Sequence, residues 1–444
     1  MNNLVYIFLF TVTCIPFLLR TLGFPSSIST RTPELLAAIT FVIVAVYASV
    51  HRSFFLHPKY LVIFLLFILL IFAGILVNDV SPGTIVSGMT IYLKYLPFFF
   101  IPIVYQFSEN DFQKHLKFIL FIALAQLPIA LYQRMIQYAG VSTGDLTTGT
   151  VLISSALSLF LIGTMAIVLA LYIKKRLDLR TVVILLFLLF LPTTINETKG
   201  TLIFFPLAII LTVVFADRKR EVLKKAVPIF SAAFIMLILF IPIYNIYFAS
   251  DIEGGLIGKI TDKNRMIHYL YSGESSTEEF EFENDPSLTG DAFNPLERDA
   301  PRADSILLPI RFLSEEPVKL ITGLGIGNVN LSKIDILSGE YGQFSELYSS
   351  QKTTLSQMIW EMGLGGVFLS IVLIYMIFSD ARSLRKDTDL FASFSLGWMT
   401  VSILFFLAFP YKNLFNLNVL NYLFWYFSGV VVSESYRRYI NKAH

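Results

Sequence analysis

The chain holds a single cysteine, Cys14, in 444 residues, which excludes an internal disulfide and any cysteine-built metal cage. Its five histidines are scattered at His51, His57, His115, His268 and His444, with no HExxH or other paired ligand spacing. Charge is scarce too. Only 15% of residues are Asp, Glu, Lys or Arg, against about 25% in an ordinary soluble domain. The net charge of +2 gives no basis for nucleic-acid binding. What the chain has instead is apolar bulk: 55% hydrophobic residues, 42 of them Phe, and a mean hydropathy of +0.68. Such a composition suits a bilayer, and the expected class is an all-α, polytopic membrane bundle.

A spanning helix needs about 20 mostly apolar residues. Twelve stretches qualify as candidates: 4–19, 34–50, 60–78, 84–105, 116–133, 151–173, 181–194, 200–216, 226–247, 355–378, 391–409 and 414–434. The first lacks a basic leader and a small-residue cleavage site, so it reads as an anchor. Nineteen Lys and Arg lie in the loops after even-numbered stretches and at the C-terminus, counting Lys117 at the edge of the fifth stretch, against five in the short loops after odd-numbered ones. By the positive-inside rule this bias places both termini in the cytoplasm. The expected organisation is helices 1–9 over residues 1–249, a large outward loop over 250–354, and helices 10–12 with a cytoplasmic tail over 355–444. That loop carries 18 of the 32 acidic side chains, many of them in the Ser-rich run 274–285. Its later part, 302–322, has helical apolar spacing and two prolines, predicting short helices broken near Pro309 and Pro317 that lie on the outer membrane face.

Charged groups inside apolar stretches are costly and therefore informative. Lys94 sits halfway along the fourth stretch and Glu361 within the tenth; each is either a functional group or half of a buried structural pair. Basic side chains also mark the outward ends: Arg134 after Gln133, Lys199 beside Glu197, Lys412 beside Tyr411, and Arg302 and Arg311 from the loop. Singly these are headgroup-level boundary residues. Together they would form a cationic floor for a phosphate or diphosphate, Arg pairing bidentately and Lys acting as a point charge.

Other patterns are decoys. The run Gly323-Leu324-Gly325-Ile326-Gly327-Asn328 resembles a dinucleotide fingerprint but lacks the strand–turn–helix unit such a site requires. Its glycines instead permit close backbone approach to a ligand or a neighbouring helix. The Asp387-Thr388-Asp389 pair sits in a short basic loop and reads as solvated surface. The acidic run 274–285 lacks the Gly-centred spacing of an EF-hand loop.

These elements, in this order, resemble the O-antigen polymerase and ligase superfamily of bacterial integral membrane glycosyltransferases (Wzy- and WaaL-like). Tyr132-Gln133 matches the family's "YQ" at the end of the fifth helix, and TGTVLISSALS, residues 148–158, stands where members run from "GT" into the next helix. The turn ETKGT, 197–201, matches the family's "SRG" turn, with Lys199 in the Arg position. An Arg-led amphipathic segment from Arg302, then Pro317, GLGIGN and QMIWEMGLGG (357–366) follow the family's "GxG…ExGxxG" order. One departure separates the branches. The ligases carry a His-Asn pair about nine residues before the Glu that corresponds to Glu361, whereas this chain reads Gln351-Lys352-Thr353-Thr354, which argues against a ligase and is compatible with a polymerase.

The resemblance implies a GT-C-like bundle in the bacterial inner membrane. It would transfer a glycan en bloc from undecaprenyl diphosphate to another lipid-linked repeat unit at the periplasmic face, making O-antigen, capsule or a related polymer. It implies no metal and no cofactor, and a flippase and a chain-length regulator as partners. Arg302, Arg311, Glu361 and Glu197 would be catalytic, one carboxylate acting as general base. Lys94, Gln133, Arg134, Lys199, Gly323, Gly325, Gly327, Tyr411 and Lys412 would bind substrate. The rival readings are a ligase-type glycosyltransferase, a lipid-linked oligosaccharide flippase or other transporter, and a non-enzymatic assembly partner. The single long loop and the lack of related halves weigh against transport.

Overall fold

The computed structural model describes residues 1–139, 145–196, 198–217, 219–248, 302–332, 334–342 and 350–443. All regular structure among them is helical. In chain order the helices are α1 (Asn2–Thr13), α2 (Ile15–Thr21), α3 (Ser26–His51), α4 (Pro58–Val77), α5 (Pro82–Leu93), α6 (Leu96–Val104), α7 (Glu109–Tyr132), α8 (Ser154–Ile173), α9 (Leu179–Ile195), α10 (Thr201–Phe215), α11 (Lys219–Phe248), α12 (Arg302–Ser314), α13 (Pro317–Thr322), α14 (Thr354–Leu384), α15 (Leu390–Leu407) and α16 (Asn418–Ala443).

Among the described residues, six helices are long and apolar enough to cross a bilayer, and eight spans result if each of two bent pairs counts as one. The expected twelve therefore reduce to six to eight candidate spans, for identifiable reasons. The first stretch bends by 49° between α1 and α2, and the fourth by 50° between α5 and α6. Pro16 and Pro97 follow these breaks, where a missing N–H and the ring's steric bulk end the preceding helix. Two other apolar helices are short, Leu179–Ile195 and Thr201–Phe215, and within α11 the apolar stretch is Ala226–Pro242. The last, α16, has the length but mixes Asn418, Asn421 and Glu434 into its apolar residues.

Local chemistry sets the helix starts. A capping box between Ser108 and Asp111 opens α7, and the Asp389 side chain accepts the Ala392 amide to open α15. At the centre lies α8, with 83% of its apolar window buried, packed on α9, α10 and α15. By contrast α4 is only 22% buried and turns Leu65, Leu69, Phe72 and Leu76 outward.

In the described part of the loop, α12 runs uninterrupted through Pro309, contrary to the break expected there. Proline removes the hydrogen bond to the carbonyl four residues earlier. That carbonyl, on Ser305, is recovered by the Ser356 hydroxyl at 2.6 Å, so the helix continues and is tied to α14. Pro317 does begin α13 as expected.

α14 is itself broken. Gly363 adopts φ 61°, ψ −166°, which frees carbonyls in the preceding turn. The amides of Leu324 and Gly325 bond the carbonyls of Trp360 (2.8 Å) and Glu361 (3.1 Å). The loop's backbone thus supplies donors that the helix lost, the condition for irregular backbone at membrane depth.

Candidate functional site

The turn joining α15 to α16 organises one end of the bundle. Thr354, first residue of α14, donates its hydroxyl to the Lys412 carbonyl (3.0 Å) and accepts the Leu414 amide (2.7 Å). Asn413 donates to the Gln351 carbonyl and to Oε1 of Gln357, each at 2.8 Å. Gln351 in turn donates to Asn330 at 2.7 Å. A chain of neutral amides, buried except for half-buried Gln351, therefore links the loop, α14 and this turn.

Arg302 reaches the same turn. Its Nε donates to the Tyr411 carbonyl at 3.3 Å, and its guanidinium carbon lies 5.8 Å from the centre of the Tyr411 ring. That ring packs against Phe204 at 5.6 Å, and its hydroxyl lies 2.8 Å from where a Cβ on Gly200 would stand. The turn carrying exposed Lys199 and the start of α10 thus shares a neighbourhood with Tyr411, half-buried Lys412 and Arg302. The positive ends of α10 and α14 open here, adding their partial charge to that of the side chains.

The two loop arginines differ in position. Nine residues is about two and a half helical turns, so Arg311 lies opposite Arg302 on α12. The buried face carries Ser305, Pro309 and Leu313 along with Arg302, while Arg311 is exposed. Arg311 acts on Asp304, whose carboxyl burial pushes above its ordinary range and whose charge Arg311 favours.

Several expected site residues are held elsewhere. Lys94 lies at the α5–α6 break rather than inside a straight helix, and its ammonium is 2.9 Å from Glu34 of α3. It is half of a structural ion pair. Gln133 is spent on backbone: it donates to the Gly149 carbonyl (3.0 Å) and accepts the amides of Thr148 (3.0 Å) and Gly149 (2.8 Å). It therefore shapes the loop before α8 instead of presenting an amide to a ligand. Arg134 follows it on a π turn, Gln133–Gln137. Glu197 lies outside the described residues.

The three glycines of the loop run lie against α14, the α4–α5 link and α5. A Cβ on Gly323 would stand 2.4 Å from the Glu361 carbonyl carbon, on Gly325 2.5 Å from Val80, and on Gly327 2.2 Å from the Thr84 carbonyl oxygen. All three have φ between 73° and 89°. Glu361 is 1% exposed, sealed behind this run. The Tyr92 hydroxyl, the Gly327 amide and Gln357 surround its carboxylate, yet neither oxygen has a partner in regular hydrogen-bond geometry. A general base must reach the proton it takes, and this carboxylate meets protein on every side.

Sequence reading passed over Thr354, Gln357, Asn330 and Asn413. Their one signal was an amide or hydroxyl inside or beside an apolar run, where such groups need partners. The decoy Asp387 and Asp389 both bond Arg438 at 2.5 Å, so they are paired rather than merely solvated. No protein-family model matches the chain, and no curated protein is significantly similar to it.

Proposed function

We propose that this protein is an integral membrane glycosyltransferase that polymerises glycans carried on undecaprenyl diphosphate. On this reading the bundle is GT-C-like with twelve spans, the shorter and bent helices completing the set. It lies in the bacterial inner membrane, with the Arg302 end at the periplasmic face. The observation that carries the reading is the meeting of Arg302 with the Tyr411 turn, beside Lys199, Lys412 and two helix N-termini.

An acceptor sugar hydroxyl attacks the anomeric carbon of the donor glycan. The new glycosidic C–O bond forms as the bond from that carbon to the diphosphate oxygen breaks. The electron pair leaves with undecaprenyl diphosphate, and Arg302 with the neighbouring positive groups stabilises the growing charge. The hydroxyl proton passes to a base; with Glu361 sealed, Glu197 is the carboxylate assigned to it, two residues before Lys199 in the sequence.

In a strain lacking its own polymerase, the wild-type chain should restore long polymer, and Arg302→Ala should leave single repeat units on the lipid. Long polymer from a stably expressed Arg302→Ala variant would remove the site. Transfer of lipid-linked units across vesicles without lengthening would replace the reading with a flippase.

A further inference from the structure

Inside the bundle lies an apolar slot of about 80 Å³ between α7, α8, α15 and α16. Along α15 its lining runs from Trp398 to Ala408, about 15 Å at the helical rise. The Thr164 hydroxyl in its wall is turned back onto the Phe160 carbonyl at 2.9 Å. An apolar cavity of this kind stays dry and takes apolar ligands.

The two ends of the slot differ. One is closed by Trp398, whose indole donates to Ser428 at 3.1 Å and which packs 5.4 Å from Phe427. The other is formed by Ala408 and Leu414, which flank Tyr411; the Tyr411 amide bonds the Ala408 carbonyl at 3.1 Å. The slot therefore ends on the turn that Arg302 grips. Its rim residues Leu159, Gly163, Val401 and Phe405 are half-buried, leaving a sideways opening.

We propose that this slot holds the head-proximal isoprenyl units of a lipid whose diphosphate sits at the Tyr411 turn. The inference rests on the reading above and assigns the tail a place. At Gly163 an added Cβ would meet only Val401, at 3.7 Å, within 4 Å; the missing Cβ is a methyl-sized niche in the wall. A methyl-branched chain fills that niche, whereas a straight acyl chain leaves a void and forfeits its contacts. Aromatic walls, Phe160, Phe405 and Phe424 among them, offer flat faces to unsaturated, branched units.

Native mass spectrometry of the purified protein, titrated with undecaprenyl diphosphate or with dioleoyl phosphatidic acid, tests this. Wild type should prefer the isoprenyl lipid. Gly163→Leu, which fills the slot from α8, and Val401→Phe, which fills it from α15, should each weaken that binding at least tenfold and leave phosphatidic acid unaffected. The two variants act from opposite walls, so either one that keeps its wild-type melting temperature decides the matter. Unchanged affinity for the isoprenyl lipid would overturn the proposal, as would equal loss for both lipids, which would make the slot an acyl-chain site. Binding that responds as expected in a protein that makes no polymer would refute the polymerase reading and leave the slot standing.

Discussion

The two ends of the helical bundle are joined by different chemistry among the described residues. At the Arg438 end, charges are matched: Arg438 bonds Asp387, Asp389 and Glu434, and Lys59 meets Asp380 at 2.5 Å with the Tyr60 hydroxyl on the same carboxylate. Asp217 lies 3.6 Å from Lys174 and 3.4 Å from Arg385, and Arg437 bonds the carbonyls of Pro102 and Tyr105. Lys174 and Arg385 cap the C-termini of α8 and α14, where the helix dipole favours them, whereas Lys59 opens α4. Among the described residues, the junction of loop, α14 and Tyr411 turn at the Arg302 end is made by neutral amides and hydroxyls, with an ion pair, Lys319 to Glu316 at 2.7 Å, out on α13. Buried polar atoms without a partner gather there: the hydroxyls of Thr147, Thr198, Thr201 and Ser350, Nδ2 of Asn330 and both oxygens of Glu361. The other end has its own: Oδ1 of Asn2, Nε2 of His115 and the Nε atoms of Arg385 and Arg437, the two guanidiniums bonding through other nitrogens. The Arg302 end keeps buried hydroxyl and amide donors and two positive helix starts in reserve, which suits an anionic substrate.

The largest expected effect tests that reserve. Arg302→Ala should lower the polymerisation rate by about 10²–10³, or about 3–4 kcal/mol in the transition state, with little change in melting temperature. Arg311→Ala, on the opposite face of α12, should stay within a few-fold of wild type. Chain-length distributions of the product measure both, and equal losses would erase the distinction between the two faces. Next comes the wall of the reserve. Gly327→Ala adds a Cβ at positive φ against the Thr84 carbonyl and should cost at least about 2–3 kcal/mol of stability, read as a lower melting temperature in detergent. An unaffected protein would mean that the loop run does not dock on α5 as described.

At the Arg438 end the expectation reverses. Arg438→Met strands three carboxylates that are partly exposed, so the stability loss should be about 1–2 kcal/mol after allowing for solvent screening. The loss should shrink in high salt, and specific activity should hold. A fall in activity without a fall in melting temperature would break the comparison, because the matched end would then contribute to function.

Much of the helical layout was legible from apolar runs and prolines, since those carry their own physical limits. The meeting of Arg302 with Tyr411 was visible only as a shared boundary depth; 109 residues separate them. The choice between Arg302 and Arg311 was within reach of helical arithmetic, and was obscured by expecting Pro309 to end the helix. Nothing local foretold that Ser356 would rescue the Ser305 carbonyl, nor that Glu34 would neutralise Lys94 from sixty residues away. Gln133 was read as a ligand because its partners, Thr148 and Gly149, are backbone groups of a loop whose path no periodicity describes. Pairings made across space by irregular backbone leave no spacing signal.

The smallest predicted effect is the sharpest on mechanism. Glu361→Gln preserves shape and hydrogen-bonding capacity while removing the ionisable oxygen. Because Glu361 is enclosed by the Gly323–Gly327 run and faces Tyr92 and Gln357, the amide should fold normally and retain activity within about threefold. A general base at this position would instead lose about 10²–10⁴. Measuring the rate across pH separates the cases, since loss of a base removes one limb of the profile and loss of packing scales the whole curve. A base-type loss would require the carboxylate to emerge during turnover. The Gly363 break is where that opening would have to occur, because there the helix already borrows its hydrogen bonds from a loop. The end with reserve would then be a moving part rather than a preformed site.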